Sequence, residues 1–259
     1  MKWDPAKYVQ FGDYRDRPFF DLTARIRADA PRRVVDRGCG PGNLTATLAD
    51  RWPAAAVQGL DSSAEMLAKS AAFEAEAGNL SFGHADIATW MPAPDTDVVV
   101  TNAALQWVPG HRELLPRWLG ALRPGAWFAL QVPGNFTAPS HSIMRALASS
   151  DEWAGRLAGV LRHDDAVAEP AAYLELMLDA GCDADVWETT YHQVLPGADP
   201  VLEWVRGTAL RPVLAALPGA EAGRFVAEYA RLLRAAYPQG AHGTVFPFRR
   251  IFAVARKRG

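Results

Sequence analysis

The stretch Val34-Val35-Asp36-Arg37-Gly38-Cys39-Gly40-Pro41-Gly42-Asn43 joins an apolar run to a helical one through three glycines at alternate positions. Each glycine removes a side chain where the backbone must come close to something else, and the helix start beyond offers free N–H donors. Ordinary tight turns use glycine too, so the loop alone is a weak signal. Its spacing is more telling. A dinucleotide fingerprint reads G-x-G-x-x-G, whereas this loop reads G-x-G-x-G with Asp36 two residues ahead of it. Pro41 also removes one donor from any pyrophosphate cradle, so a NAD or nucleotide-sugar enzyme is disfavoured.

Outward from the loop, residues 31–132 alternate two kinds of segment. Strand-like runs fall at 33–37, 55–60, 80–84, 96–101 and 126–132; helical spacing fills 44–51, 64–73 and 112–122. Strands separated by helices predict parallel βαβ units covered on both faces, with ligands at the carboxyl ends of the strands. After Gln131-Val132-Pro133-Gly134 the rhythm changes. Helices are expected at 140–150, 152–162 and 170–180, a long strand at 185–194, helices at 199–215 and 220–236, and a closing strand at 244–256. No linker composition interrupts the chain, so one domain is expected over 1–259. Its cofactor-binding core would span about 31–134, with helical cap insertions at about 135–180 and 197–243.

The 259 residues are 49% apolar and 22% charged, enough for a large core. Twenty-seven basic side chains against 29 acidic ones argue against a sequence-independent nucleic-acid binder. Cys39 and Cys182 cannot build a disulfide framework and fit a reducing compartment. No apolar run approaches the roughly 20 residues needed to cross a bilayer. The start, Met1-Lys2-Trp3-Asp4-Pro5, has no apolar signal core. These features predict a cytoplasmic protein with no nucleic-acid or membrane partner, and a monomer is expected. The six histidines show no zinc spacing, so no metal is expected, and His84, His111 and His141 read as structural.

Two further signals accompany the loop. Asp61, in Gly59-Leu60-Asp61-Ser62-Ser63, lies about 20 residues beyond it, where an acid can grip the hydroxyls of a ribose. Its alternative role is a helix N-cap, which Ser62 or Ser63 could fill ahead of Glu65. Asp86, in His84-Ala85-Asp86-Ile87, suits an adenine amino group, although alone it reads as a cap. All three signals sit at the ends of consecutive strands, and together they carry more than any one.

The motifs D-x-G-C-G-P-G-N, L-D-S-S-x-E-M, H-A-D-I and T-N-A-A-L-Q-W resemble those of class I S-adenosylmethionine-dependent methyltransferases. The resemblance narrows with Trp3-Asp4-Pro5, Tyr8 and Phe11, then Arg15-x-Arg17-Pro18, Leu105-Gln106-Trp107, Gln131-Val132-Pro133-Gly134-Asn135 and His141-x-x-Met144-Arg145. Trp187-x-Thr189-Thr190-Tyr191, Leu210-Arg211-Pro212, Tyr237-Pro238 and Phe246-Pro247-x-Arg249-Arg250 continue it. Over about residues 3–256 the chain is similar to the trans-aconitate 2-methyltransferases. That resemblance implies a Rossmann-like α/β sheet, mostly parallel with an antiparallel last strand, plus a helical cap. It implies S-adenosylmethionine as cofactor, with S-adenosylhomocysteine as product. The cofactor would be held by Tyr8, Phe11, Arg17, Asp36, Gly38, Gly40, Asp61, Ser62, Met66, Asp86, Ile87 and Asn102, with Asn102 and Trp107 flanking the reacting methyl.

The implied substrate is trans-aconitate or a close polycarboxylate, and the product a monomethyl ester. A carboxylate is already ionised at pH 7, with a pKa of about 4, so no general base is required. Several guanidinium forks are needed to hold such an acid. Arg145, Arg206, Arg211, Arg249 and Arg250 are the candidates, with Trp107 beside the substrate. Each arginine otherwise reads as a solvated surface charge, except Arg249 and Arg250, which interrupt an apolar strand. As strand neighbours they face opposite ways, so one is expected to bind substrate. Two departures stand out: Arg37 replaces an aliphatic residue in a buried strand, and Gln193 stands where the resemblance leads to His, leaving His192 one place early. The rival readings are a methyltransferase for another small carboxylic acid, such as a lipid-like one, and a non-catalytic S-adenosylmethionine-binding regulator.

Overall fold

A computed structural model describes residues 14–76, 78–161 and 165–259. The chain divides into two compact units, Met1–Val132 with Ala168–Glu188 and Ile251–Gly259, and Pro133–Val167 with Thr189–Arg250.

In the first unit the valine-rich runs become strands because both their faces are covered. Val34, Val98, Val99 and Val100 are wholly buried, and each such side chain contributes about 1.5–3 kcal/mol. The chain order is α1 (Arg17–Thr23), β1 (Arg33–Arg37), α2 (Asn43–Arg51), β2 (Ala56–Asp61), α3 (Ala64–Glu76), β3 (Leu80–His84) and β4 (Val98–Asn102). A single 3-10 turn (Leu105–Trp107), α4 (His111–Ala121) and β5 (Trp127–Pro133) follow. β3, β2, β1, β4 and β5 lie side by side in that order, all parallel.

After α5 (Pro139–Ala148), α6 (Ala154–Leu157) and α7 (Pro170–Asp179) the chain enters a long strand, β6 (Cys182–Leu195). Then come α8 (Pro200–Arg206), α9 (Arg211–Ala216), α10 (Gly219–Ala236), β7 (Gln239–Gly240) and β8 (Gly243–Lys257). β8 lies between β5 and β6. Its direction follows from hydrogen bonds. The Lys257 N–H donates to the Ala126 carbonyl, and the Gly134 N–H donates to that of Arg249. The partners run in opposite senses, so β8 is antiparallel to β5, and the sheet is mostly parallel with an antiparallel closing strand as expected.

The second unit packs its helices around Trp153, Leu202, Val205, Leu210, Phe225, Tyr229, Leu233, Phe246 and Phe248. Here the helical expectation over 199–215 breaks into α8 and α9. Gly207 ends the first, and Pro212, lacking an N–H, can stand only in the first turn of the second. The helix expected at 152–162 shrinks to Ala154–Leu157, with Gly159 at φ +73° following it. β6 begins three residues earlier than periodicity suggests, directly after Gly181 at φ +74°.

Candidate functional site

Parallel register brings the ends of β3, β2, β1 and β4 into one row: Asp36 lies beside Gly59 and Val100, and Asp61 beside His84. The glycine loop leaves β1 with Gly38, Gly40 and Gly42 at φ +77°, +57° and +87°. Left-handed backbone of this kind costs any residue with a Cβ about 1–2 kcal/mol. At Gly38 a second reason applies: a Cβ would lie 2.3 Å from that of Ala104, so the segment after β4 closes on the loop. At Gly40 a Cβ would meet nothing within 4 Å among the described residues, so the loop is open to them there. Gly42 caps α2 without a side-chain hydrogen bond, so among the described residues no capping side chain serves its first N–H groups.

Asp61 fastens this loop to β2. Its Oδ2 accepts from the Gly40 N–H (2.9 Å) and its Oδ1 from the Ser63 N–H (2.8 Å). Ser63 in turn accepts from the Met66 N–H, so it caps α3, and the Asp61 carboxylate is not needed for that cap. Ser62 offers its carbonyl to His84 Nε2 at 3.1 Å, while Met66 stands half-buried in the first turn of α3. Asp86 is exposed and accepts from the Ala88 N–H (2.9 Å), with half-buried Ile87 beside it. Asn102 ends β4 with its side-chain oxygen buried and without a hydrogen-bond partner among the described residues. Trp107 is 48% exposed on the 3-10 turn.

Asp36 is buried beneath the loop and accepts from Thr45 Oγ1 at 2.7 Å. Burial pushes its carboxyl up to about 6, against the opposing pull of Thr45 and the Arg37 charge. It is therefore mostly ionised at pH 7. Burial also pushes the Cys39 thiol far up, so it is no nucleophile. Arg37 is wholly buried: Nη2 donates to the Ala85 carbonyl at 3.4 Å, and the guanidinium lies 4.9 Å from the Trp90 ring centroid. Its Nε and Nη1 have no partner among the described residues, and burial lowers its pKa to about 10. His111 is buried and pairs with the Tyr173 hydroxyl at 2.8 Å.

Tyr8 and Phe11 lie outside the described residues. Arg17 is exposed on α1, 3.6 Å from Asp21. Of the substrate candidates, Trp107 belongs to the first unit and the arginines to the second. Arg145 lies on α5 and lines a cavity of about 20 Å³ with Phe136, His141, Met144, Leu161, Ala209 and Pro212. Arg206 pairs with Glu203, and Arg211 is exposed at the start of α9. Arg249 and Arg250 take opposite faces of β8. Arg250 is buried against the Phe248 ring, and Arg249 donates to the Gly134 carbonyl at 3.3 Å. Sequence reasoning did not single out Thr45, Trp90, Ala103 or Ala104. Ala103 sits at φ +53°, which no feature of an alanine announces.

A larger hollow, about 520 Å³, is walled by α1 and α2. It holds none of the predicted residues, and the cation on its wall is engaged: Arg51 donates to the carbonyls of Thr23 and Ile26. Among the described residues no group of His, Cys, Asp or Glu could hold a metal ion, and no helix is long and apolar enough to cross a membrane.

Residues 34–125 match a methyltransferase domain family. The chain is 58% identical to the trans-aconitate 2-methyltransferase of Streptomyces avermitilis, over 98% of this chain and 97% of that one. It is 56% identical to the enzyme of that name from Rhodococcus jostii, over 98% and 99%. Among solved structures, the YcgJ protein of Bacillus subtilis aligns with a TM-score of 0.58 at 14% identity, over 96% of this chain and all of that one. The Haemonchus contortus phosphoethanolamine N-methyltransferase 2, in complex with S-adenosylhomocysteine, aligns at 0.56 and 16%, over 96% of this chain and 53% of that one. These two share the fold.

Proposed function

We infer the residue roles below because this chain belongs to the trans-aconitate 2-methyltransferase family of S-adenosylmethionine-dependent methyltransferases. The protein is an S-adenosylmethionine-dependent methyltransferase, and trans-aconitate is its acceptor. Neither a lipid-like acid nor a non-catalytic regulator is favoured by these relatives. A cytoplasmic location is part of the reading, supported by two buried free thiols.

The strand-end residues fit the cofactor chemically. Open space beside Gly40, the first turn of α2 and the orphaned Asn102 oxygen supply what a polar zwitterion needs. In our reading the Asp61 carboxylate takes the ribose hydroxyls with the lone pairs that Gly40 and Ser63 leave over. Ser62 and Met66 stand beside it, while Asp86 and Ile87 take the adenine. Gly38 and Gly40 let the backbone close on the amino-acid end, and the ionised Asp36 gives that end a negative field. Tyr8, Phe11 and Arg17 belong to the same reading through the family resemblance. Bound S-adenosylmethionine supplies a methyl on a positive sulfonium.

Asn102 and Trp107 position the reacting oxygen and exclude water; neither has to move a proton. Orientation of this kind can supply about 7–11 kcal/mol of a barrier. Arg145, Arg211 and one of the opposed pair Arg249 and Arg250 hold the acceptor's carboxylates, and the product is the monomethyl ester. The observation that carries this reading is the row of Gly40, Asp61, Asp86 and Asn102 on four adjacent strand ends. Methyl transfer from labelled cofactor across a panel of small acids tests it. Trans-aconitate should be the best acceptor, and ester formation on another acid with none on trans-aconitate would refute it.

A further inference from the structure

Asn135 belongs to the second unit and follows β5 by two residues. The residue before it is tied to β8 on both sides. The Gly134 N–H donates to the Arg249 carbonyl at 2.9 Å, and Arg249 Nη1 donates to the Gly134 carbonyl at 3.3 Å. The Asn135 carbonyl in turn accepts, at 3.0 Å, from the N–H of Ala138, which caps α5. The start of that helix is held as well. The Ser140 N–H donates to the Tyr237 hydroxyl at 3.0 Å, and the Tyr229 hydroxyl donates to the Ser140 carbonyl.

In this bonded setting the Asn135 side chain is the exception. It is 3% exposed, yet neither Nδ2 nor Oδ1 has a hydrogen-bond partner among the described residues. A buried amide in that state bears the desolvation of a donor and an acceptor at once, a penalty that an apolar side chain of its size would not bear. Asn79 shows what a structural amide does instead: its Nδ2 donates to the carbonyls of Ala49, Trp52 and Ala55. With neither Asn135 atom engaged, nothing in the fold fixes which edge of the amide carries the oxygen, so an incoming group decides it.

We propose that Asn135 is a specificity-determining residue of the acceptor site. Its amide nitrogen donates to one carboxylate oxygen of the acceptor, and its oxygen accepts from a water held beside that carboxylate. The bonds at Gly134 fix this amide next to the strand that bears Arg249 and Arg250. A guanidinium attracts carboxylates and phosphates alike, whereas a neutral amide adds a donor at one fixed point and adds no charge. The arginines supply the attraction and Asn135 sets where a carboxylate must lie. The assignment rests on the proposed function, in which the acceptor is an acid.

The test compares Asn135→Leu, Asn135→Ala and Asn135→Asp with the wild type. Three readouts are taken: methyl-transfer kinetics, calorimetric binding of trans-aconitate with S-adenosylhomocysteine present, and thermal melts. Asn135→Leu should raise the acceptor KM and Kd about tenfold, for one lost hydrogen bond to a charged group. Its melting temperature should hold or rise, because leucine removes an unmet buried amide. Asn135→Ala, too small to clash, should lose as much acceptor affinity and decides the matter if the leucine variant does not fold. Asn135→Asp sets like charges together and should cost about a hundredfold at about pH 8. Its gap to the wild type should narrow toward about pH 6, because burial and the neighbouring anion help the new carboxyl to take up a proton and donate it. The affinity for S-adenosylhomocysteine alone should stay within about twofold in all three. Wild-type acceptor binding by Asn135→Leu and Asn135→Ala would mean that the amide meets only water and would overturn the assignment. An equal loss of S-adenosylhomocysteine affinity would overturn it too. A wild type that binds trans-aconitate without methylating it would remove the proposed function, and the variants' binding would still decide the role of Asn135.

Discussion

The row of strand ends and the helical second unit handle polar groups in opposite ways. At the strand ends the polar side chains, Asn102 apart, already hold backbone. Asp61 takes two N–H groups, Asp86 one, and Ser63 caps a helix. In the second unit, among the described residues, Arg145 makes no pair and Asn135 has both amide atoms unmet. A site that must fit one invariant cofactor is built from backbone geometry and fixed before the ligand arrives. In the proposed reading, the second unit's unmet groups are bonds left for the acid to make. Substitutions at the strand ends should therefore cost stability and cofactor affinity together, whereas those at Arg145 should cost acceptor affinity alone.

The harshest way to break the contrast is Gly38→Ala. A methyl there would overlap Ala104 and occupy left-handed backbone, a combined cost of about 2–5 kcal/mol. Chemical denaturation should show that loss, and calorimetry should show cofactor binding weakened at least tenfold. Unchanged affinity in a destabilised variant would mean that the loop's shape does not set the site. Next comes Asp61→Ala. Cofactor affinity should fall about tenfold to several hundredfold, from charge-assisted bonds of ~1.5–3 kcal/mol each. The variant should also lose about 1 kcal/mol of stability, because the Gly40 and Ser63 amides lose their acceptor. Asp61→Asn keeps one acceptor and should fall between.

Much of this arrangement was legible in the sequence. The alternating strand and helix periods pointed to the five parallel strands, because a buried parallel strand must be apolar on both faces. Glycine spacing marked the loop, and Asp61, the acid at the end of the next strand, is the one that holds it. What the sequence did not disclose depends on side chains meeting across the fold. Thr45 under Asp36, Trp90 over Arg37 and Ala104 against Gly38 are contacts between segments whose local patterns do not mention one another. The helical unit was the least legible. A four-residue helix and a break at Gly207 follow from glycine and proline placement that helical periodicity alone smooths over.

Asp36 sharpens the contrast through pH. Its folded pKa of about 6 lies above the unfolded 3.8, so the ionised form is the penalised one. The penalty is fully present above pH 6 and vanishes below about 4. Asp36→Asn, which does not titrate, should therefore gain on the wild type as pH rises. The difference between the two should be about 2 kcal/mol more favourable to the variant at pH 7.5 than at pH 4.5. Thermal melts at the two pH values check this, and an equal difference at both would mean that Asp36 is not strained by burial.

Arg37, like Asn102, is an exception among the well-bonded strand ends, and its effect should be the smallest. The guanidinium is wholly buried, yet it has one long hydrogen bond and one aromatic face to offset its desolvation. Its pKa is lowered to about 10 from 12.5, so the charge is penalised at neutral pH and the penalty eases only as pH climbs through 10. Replacing a poorly paired buried ion with an apolar side chain is often neutral or stabilising. Against that stands the loss of the Trp90 contact, about 0.5–2 kcal/mol. The sum favours Arg37→Leu by about 1 kcal/mol, seen as a modest rise in melting temperature with cofactor affinity within about twofold. Arg37→Ala should move the other way, because it removes the stem that fills the space beneath Trp90 and leaves a cavity. Leucine and alanine with the same loss would show that the cation itself holds Trp90 and the Ala85 carbonyl in place. Arg37 would then belong with Asp61 among the groups that fix the strand ends.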